Sequence, residues 1–185
     1  MVNSAIEVSR KAPRKTAGAT TRDDTSVQEM IPLVPGGIAD HTSCLTLKVG
    51  QVIFRLMENR LAALGIRIRH YSVLETLMEN GPRSQQDLGT YLRIDGATMV
   101  ATIDDLEALG WVARKRSAGD RRSYIISIMT EGKKKLRQIN ELIDELDREF
   151  LADISERQRE QLRRIMSKLS EGKTLIKAVD ETRGR

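Results

Sequence analysis

Apolar residues recur at three- and four-residue steps along most of the chain after residue 40, the spacing of one face of a helix. This pattern predicts a first long helix that begins near Leu45 and is closed by Gly65, which fits a C-terminal cap. A second, shorter helix is predicted from about His70 to Met78. The sequence Asn80-Gly81-Pro82 then interrupts the pattern, because glycine and proline break helices.

Two short helices are predicted next, each introduced by a capping side chain. Ser84 followed by Asp87 has the form of a capping box, so a helix is expected to begin there. Asp95 is a good N-cap for a further helix over Gly96–Leu109. The inward face of that helix carries Met99, Ile103 and Leu106. With the helix before them, these two helices predict the three-helix core of a helix-turn-helix.

The spacing changes from helix to strand after Gly110. Strand-forming residues lie on both sides of a loop that contains Ala118-Gly119-Asp120, which predicts a β-hairpin over residues 111–129. Five basic side chains cluster around this loop: Arg114, Lys115, Arg116, Arg121 and Arg122. A hairpin that directly follows a helix-turn-helix indicates the winged form of that motif.

Two more helices complete the pattern. Thr130 is expected to cap a long helix whose apolar residues form a heptad seam, and Ser155 with Gln158 opens a last helix through a second capping box. The seam consists of Leu136, Ile139, Ile143, Leu146 and Phe150, and the stripe on the last helix consists of Leu162, Ile165, Met166 and Leu169. Together, the seam and the stripe provide more apolar surface than one small domain needs, which favours a homodimer. The predicted fold is mainly α with a small β-hairpin: a winged helix-turn-helix plus a helical dimerisation region.

The segment boundaries follow from these patterns. Residues 1–40 mix small, polar and charged residues without periodicity, which predicts a disordered N-terminal extension. Alternatively, its basic residues Arg10, Lys11, Arg14 and Lys15 form an arm that attracts phosphates. The remaining segments are a first dimerisation helix (41–66), the winged helix-turn-helix (67–130), C-terminal dimerisation helices (131–178) and a flexible tail (179–185).

Composition narrows the class of protein. A net charge of +5 and a pI of about 9.5 are compatible with a polyanionic partner. Cys44 is the only cysteine, so an intrachain disulfide and a Cys-rich zinc site are excluded. With no secretory signal and no apolar run of about 20 residues, we expect a cytoplasmic protein without a membrane contact. No catalytic triad, phosphate-binding glycine loop or paired histidine ligands occur, so neither an enzyme nor a cofactor or metal is expected.

The stretch LRIDGATMVATIDDLEALGWVARKRSAGDRRSYIISIMTEGKKKL resembles the MarR family of winged helix-turn-helix regulators. This resemblance rests on three motifs: Leu-Glu-x-x-Gly, the wing motif Asp120-Arg121-Arg122, and Thr130 followed after one residue by glycine. ISERQREQLRRIMSKL is similar to that family's last helix, and the similarity covers roughly residues 42–170. The resemblance implies a homodimeric transcriptional regulator, a repressor, whose two winged lobes bind a pseudo-palindromic site in double-stranded DNA and which a small-molecule effector releases.

The resemblance also assigns roles to the wing and to the start of the preceding helices. Asp120 would orient Arg122, which would enter the minor groove at the wing tip. Arg121, Lys115 and Arg116 would contact phosphates. Two residues at a helix N-terminus, Ser84 and Gln85, would approach the DNA backbone. Candidates for contacts to base edges are Ala97, Thr98, Val100 and Ala101, which point away from the core face of the predicted recognition helix.

The predicted recognition helix departs from the family pattern. Many relatives have arginine at the position of Ala101, and residues 95–109 contain no lysine or arginine. Bidentate reading of guanine by this helix is therefore excluded, and readout would rely on Thr98, methyl contacts and DNA shape, with Arg93 just upstream as a compensating cation. Its acidic residues are Asp104, Asp105 and Glu107. They leave an alternative open: a winged-helix interaction or ligand-binding protein with weak or lost operator binding.

Two further expectations concern control of the protein. The resemblance implies an effector pocket between the dimerisation helices and the winged lobe, and its candidate residues, which would equally suit the core, are Phe54, Met57, His70, Tyr71 and Trp111. Cys44 lies near the start of the first helix, where peroxide-sensing relatives have a reactive cysteine, and is a candidate redox switch. A helix N-terminus and the nearby His41 would favour its thiolate, whereas a structural cysteine would be inert.

Overall fold

A computed structural model describes residues 31–116 and 124–183 of the chain. Its helices are α1 (Thr42–Ala62), α2 (Ile68–Asn80), α3 (Gln85–Leu92), α4 (Gly96–Ala108), α5 (Thr130–Phe150), α6 (Glu156–Ser170) and α7 (Lys173–Arg183), and its strands are β1 (Arg83–Ser84), β2 (Val112–Arg116) and β3 (Tyr124–Ile128). The strands form one antiparallel sheet in the order β1-β3-β2. This architecture confirms the predicted fold class, a mainly helical chain with a winged helix-turn-helix.

Local signals define most helix ends. The Asp95 carboxylate accepts a hydrogen bond from the backbone N–H of Thr98 at 2.9 Å, and the Ser84 hydroxyl accepts one from Asp87 N–H at 3.0 Å. Gly65 and Gly110 have φ near +70°, in the left-handed region that favours glycine, and each lies beyond the end of a helix as predicted. Ser155 and Gln158 form the predicted capping box of α6.

One predicted cap is wrong by a residue. Met129, not Thr130, occupies the N-cap position of α5, and no side chain caps this helix end. Backbone geometry fixes it instead, because Met129 N–H donates to the carbonyl oxygen of Trp111 at 2.8 Å. Gly132 follows in the first turn of α5, and a Cβ atom there would overlap with the same carbonyl group. The beginning of α5 is therefore held against the short segment that joins α4 to β2.

The sheet contains the predicted hairpin and one strand that was not predicted. Val112 on β2 lies opposite Ile128 on β3, and the register continues to Arg116 opposite Tyr124. The two-residue strand β1 pairs with the other edge of β3, with Arg83 opposite Ile126. Ser84 thus pairs with β3 and also caps α3. This double role attaches the beginning of α3 to the wing strand β3.

The core joins the winged lobe to α5. The helices α2 to α5 and the strand β3 all contribute side chains with no accessible surface. Among them are Leu74, Leu88, Met99, Ile103, Ile126 and Ile139. Helix α5 packs against α1 and α2. As a result, most of its heptad seam is buried inside the chain: Leu136, Ile139 and Leu146 are buried, and Ile143 packs against the core. The prediction that this seam supplies surplus apolar surface is wrong, because heptad spacing does not specify which helix covers it.

Other apolar residues remain exposed on the helices outside the winged lobe. On α1 the exposed residues are Leu45, Leu47, Phe54 and Leu56, on α6 Leu162, Ile165, Met166 and Leu169, and on α7 Leu175, Ile176 and Val179. The predicted stripe lies on α6 and is therefore solvent-exposed in one chain; α6 was predicted to be the last helix, but α7 follows it. Within the described ranges, no helix combines the length and apolar character needed to cross a bilayer.

The structure corrects two segment boundaries. A 3-10 turn at Gly36–Ile38 lies inside the extension that was predicted to be disordered up to residue 40. Helix α7 extends through residues 179–183, which were assigned to a flexible tail. Helical order continues there because Leu175, Ile176 and Val179 maintain the apolar spacing of a helix face. Residues 1–30, with the predicted basic arm, and residues 184–185 lie outside the described parts of the chain.

Candidate nucleic-acid interface

The recognition helix α4 is held by its cap and by one buried face. Met99, Ile103 and Leu106 have no accessible surface, so the opposite face is presented to solvent. Three of the four residues predicted to contact bases are exposed there, namely Ala97, Val100 and Ala101, whereas Thr98 is half-buried beside the Asp95 cap. The exposed face near the helix N-terminus is therefore made of small and apolar side chains, which let a duplex approach closely.

Arg114 connects the wing to the recognition helix. Its guanidinium Nη1 donates to Asp104 and, at 2.9 Å, to Glu107, while its backbone N–H donates to Glu107 Oε1 at 3.1 Å. A further hydrogen bond of 3.4 Å reaches the carbonyl oxygen of Val100. Burial disfavours the charge on Arg114, but the two carboxylates outweigh it and raise the pKa of the guanidinium. Arg114 thus clamps β2 onto α4.

The third acidic residue of α4 faces α2. Asp105 Oδ2 lies 3.1 Å from His70 Nε2 and 3.9 Å from an Arg69 guanidinium nitrogen. His70 Nδ1 accepts a hydrogen bond from the backbone N–H of Arg67 at 2.9 Å, so its proton is on Nε2 and is donated to Asp105. Burial lowers the pKa of the His70 imidazole, which favours this neutral form.

These contacts change the interpretation of the three acidic residues on α4. Asp104 and Glu107 share the single Arg114 guanidinium of the wing strand, and Asp105 contacts His70 and Arg69 of α2. All three carboxylates are thereby directed to partners within the lobe. The sequence left open that these residues weaken DNA binding; in the fold they also join α4 to β2 and to α2.

The described part of the wing presents cations beside this helix. Lys115 and Arg116 are exposed at the end of β2. The Arg116 guanidinium carbon lies 5.8 Å from the centre of the Tyr124 ring on the opposite strand, a cation–π distance that steadies the side chain. The wing-tip residues Asp120, Arg121 and Arg122 fall within residues 117–123, outside the described residues.

The remaining predicted DNA contacts lie around α3. Ser84 and Gln85 are half-buried at its N-terminus. Arg93 follows its C-terminus with φ at 54°, and its Nε lies 3.5 Å from a carboxylate oxygen of Asp180 on α7. Arg114 was the residue whose role the prediction missed. Two-residue alternation along β2 was the available signal, since it places Arg114 on the same face as the buried Val112.

The five candidate effector residues occupy different environments. His70 and Trp111 are buried in the core, and Tyr71 is partly buried against it. Phe54 is exposed in a shallow groove of about 540 Å³ on α1, which Leu47 also lines, and Met57 is half-buried. Of the five, Phe54, Met57 and Tyr71 have surface that a ligand can reach.

Cys44 is half-buried near the start of α1, in a shallow cavity of about 260 Å³ that Leu33 and Ile38 also line. His41 is the N-cap residue of the same helix and is exposed. Within residues 31–116 and 124–183, no cluster of His, Cys, Asp and Glu is arranged to hold a metal ion.

Comparison with known proteins agrees with this geometry. The sequence model of the MarR family matches residues 64–123. The HTH-type transcriptional regulator YwoH of Bacillus subtilis is 31% identical over 110 residues, which cover 60% of this chain and 80% of that protein. Among solved structures, a mutant of MarR from E. coli in complex with operator DNA is 23% identical, with a TM-score of 0.60 and coverage of 69% of this chain and 91% of that one. CouR from Rhodococcus jostii RHA1, bound to p-coumaroyl-CoA, is 23% identical with a TM-score of 0.62, covering 74% and 96%.

A helix-turn-helix followed by a hairpin with exposed cations defines a winged helix-turn-helix protein. The family and the relatives identify the particular branch of this class. The chain belongs to the MarR family and is a MarR-family transcriptional regulator, as the sequence predicted.

Proposed function

We propose that the protein is a homodimeric repressor that binds a pseudo-palindromic site in duplex DNA and is released by a small-molecule ligand. The observation that carries the proposal is the Arg114 clamp. Arg114 pairs with both Asp104 and Glu107 and fixes the cationic wing strand beside the exposed face of α4. One lobe can therefore present a helix to the major groove and cations to the adjacent backbone at the same time.

The character of α4 determines how this lobe would read sequence. Without lysine or arginine, the helix would contact thymine methyl groups through Ala97 and Val100 and a base edge through the Thr98 hydroxyl. Lys115, Arg116 and the wing-tip arginines would bind phosphates and the minor groove, whose width depends on sequence. We expect a preference for A·T-rich half-sites about one helical turn apart.

The dimer is supported by the apolar residues that one chain leaves exposed. Eleven of them lie on α1, α6 and α7, outside the winged lobe, whereas the α4 face that would meet DNA exposes Val100 and the wing strand β3 exposes Tyr124. Covering them with a second copy would remove a large apolar area from water and would place two lobes side by side. A dimer of this kind gives the site its two-fold symmetry.

Ligand binding and DNA binding both have precedents among structural relatives. A mutant of E. coli MarR has been crystallised with operator DNA, and CouR with p-coumaroyl-CoA. In this chain we place the effector near α1 and α2, where Phe54, Met57 and Tyr71 have accessible surface. A ligand wedged there would change the angle between the dimerisation helices and the lobe, and so the spacing of the two recognition helices.

The alternative is a winged-helix interaction or ligand-binding protein with weak or lost operator binding, and it was based on the acidic residues of α4. The contacts of Asp104, Asp105 and Glu107 with partners in the same lobe favour the DNA-binding proposal over it.

A footprint on the DNA that flanks the protein's own gene tests the proposal. The wild type should protect two half-sites, and the double variant Arg121→Ala/Arg122→Ala should lose protection while remaining a folded dimer. Arg148→Ala/Arg157→Ala removes the same charge from the exposed ends of α5 and α6 and should protect the site normally. Normal protection by the wing variant would refute the assignment of the wing to DNA.

A further inference from the structure

The C-terminal helix α7 reaches the turn of the helix-turn-helix. This helix follows the region of resemblance to the MarR family, which ends near residue 170. Asp180 on α7 lies with Oδ1 3.5 Å from Nε of Arg93, the residue between α3 and the cap of α4. The last helix of the chain is thus tied to the segment that introduces the recognition helix.

Arg93 is a distinctive residue in this segment. It is the only lysine or arginine between Gln85 and Gly110, so it carries all the positive charge of the helix-turn-helix proper. Its backbone is left-handed, with φ at 54°, although a residue with a Cβ atom adopts this conformation at a cost. That conformation fixes the direction of the side chain at the C-terminus of α3, two residues before the Asp95 cap.

We propose that α7 is an autoinhibitory element, in which Asp180 holds Arg93 and so withholds the single helix-turn-helix cation from the DNA backbone. This inference rests on the proposed DNA-binding function and adds a level of control to it. A guanidinium nitrogen paired with a carboxylate is not available to a phosphate in the same direction, and the carboxylate itself repels the phosphate. A DNA phosphate therefore competes with Asp180 for the Arg93 guanidinium.

The size of the effect follows from the exposure of the pair. The Arg93 and Asp180 side chains are 40% and 61% exposed, so solvent and salt weaken their attraction. Releasing Arg93 should tighten DNA binding about two- to five-fold at low salt, the range expected for an exposed ion pair. The gain should disappear at high salt. The contact thus adjusts affinity and does not act as an all-or-none switch.

Asp180→Asn tests this directly, with Glu181→Gln as its matched control. Glu181 is the next residue on α7, and Glu181→Gln removes the same charge. Its Oε1 lies 3.6 Å from Lys177 Nζ on the same helix, so this carboxylate pairs within α7. The probe is a labelled duplex of about 30 bp and mixed sequence, titrated by fluorescence anisotropy at about 50 mM and about 300 mM salt, because a phosphate contact is independent of sequence. Each substitution is repeated in an Arg93→Ala background, and thermal unfolding checks that all variants are folded.

The expected result is binding by Asp180→Asn about two- to five-fold tighter than by Glu181→Gln at the lower salt concentration, with no such difference in the Arg93→Ala background. Equal affinities for the two single variants, weaker binding by Asp180→Asn, or a difference that persists without Arg93 would each overturn the autoinhibitory contact while leaving DNA binding intact. If neither the wild type nor any variant binds the duplex, the proposed function itself fails, and this outcome is distinct from the other three.

Discussion

Replacing Arg114 by alanine tests whether the wing and the recognition helix form one unit. The substitution removes the guanidinium that joins β2 to Asp104 and Glu107 on α4. The backbone hydrogen bond from Arg114 N–H to Glu107 does not depend on the side chain and remains. Two effects should follow, a loss of stability and a separate loss of affinity for DNA.

The structure sets the magnitude of both effects. The Arg114 side chain is only 19% exposed, but Asp104 and Glu107 are 56% and 40% exposed. Hydrogen bonds between charged groups contribute about 1.5–3 kcal/mol when shielded and less than about 1 kcal/mol when exposed, so we expect a loss of about 1–2 kcal/mol in the free energy of unfolding. DNA binding should weaken about tenfold at low salt, because two carboxylates beside the phosphates lose their counter-charge.

Chemical denaturation and fluorescence anisotropy measure the two effects. Lys115→Ala, which removes the same charge from an exposed neighbour on β2, should change stability by less than about 0.5 kcal/mol. Adding Asp104→Asn and Glu107→Gln to Arg114→Ala should restore much of the DNA affinity but not the stability. If Arg114→Ala is as stable as Lys115→Ala and binds DNA as tightly as the wild type does, the clamp has no role in orienting the lobe.

Three further predictions concern pH, packing and assembly. Burial lowers the pKa of His70 below its ordinary value of 6.5. The stabilising contribution of neutral His70 is therefore present above pH 6.5 and is lost as the pH falls toward the folded-state pKa. His70→Gln should flatten this part of the stability–pH curve. Gly132→Ala should lower the free energy of unfolding by about 1–3 kcal/mol, because the new methyl group would overlap with the Trp111 carbonyl group. Leu169→Glu should convert the dimer to a monomer in sedimentation equilibrium, since Leu169 is exposed on α6 in one chain and a second copy would bury it.

Each of these predictions has a control within the chain. His41→Gln replaces the exposed histidine at the N-cap of α1 and is the control for His70→Gln. Gly96→Ala adds a methyl group where nothing lies within 4 Å and should not destabilise the protein. Met78→Glu places the same charge on an exposed position of α2 and should leave the dimer intact. A substituted protein that behaves like its control would contradict the corresponding prediction.

The sequence predicts well the features that local interactions determine. The caps at Ser84, Asp95 and Ser155 and the turns at Gly65 and Gly110 depend on neighbouring backbone groups, so their residue types can be read directly. The family-like spacing of Thr130 and glycine also has a physical cause. Only a residue without a side chain fits where Gly132 meets the Trp111 carbonyl group.

Features that depend on packing between distant segments are harder to predict. Arg114 joins residues of α4 that lie 10 and 7 positions earlier, and His70 joins Asp105, 35 positions later. Neither pairing leaves a periodic signal in the sequence. The α5 seam is a second example of this limitation. Its spacing indicates an apolar face but cannot distinguish burial against α1 and α2 from burial against a second copy.

The salt dependence of DNA binding tests the central claim, that two cationic winged lobes grip one duplex, most directly. With Lys115, Arg116 and Arg121 on phosphates in each subunit, about six contacts per dimer predict that the logarithm of the binding constant falls against the logarithm of salt concentration with a slope of about −5. Arg121→Ala/Arg122→Ala should make this slope distinctly shallower. A slope near zero for the wild type, or the same slope for both proteins, would contradict the account.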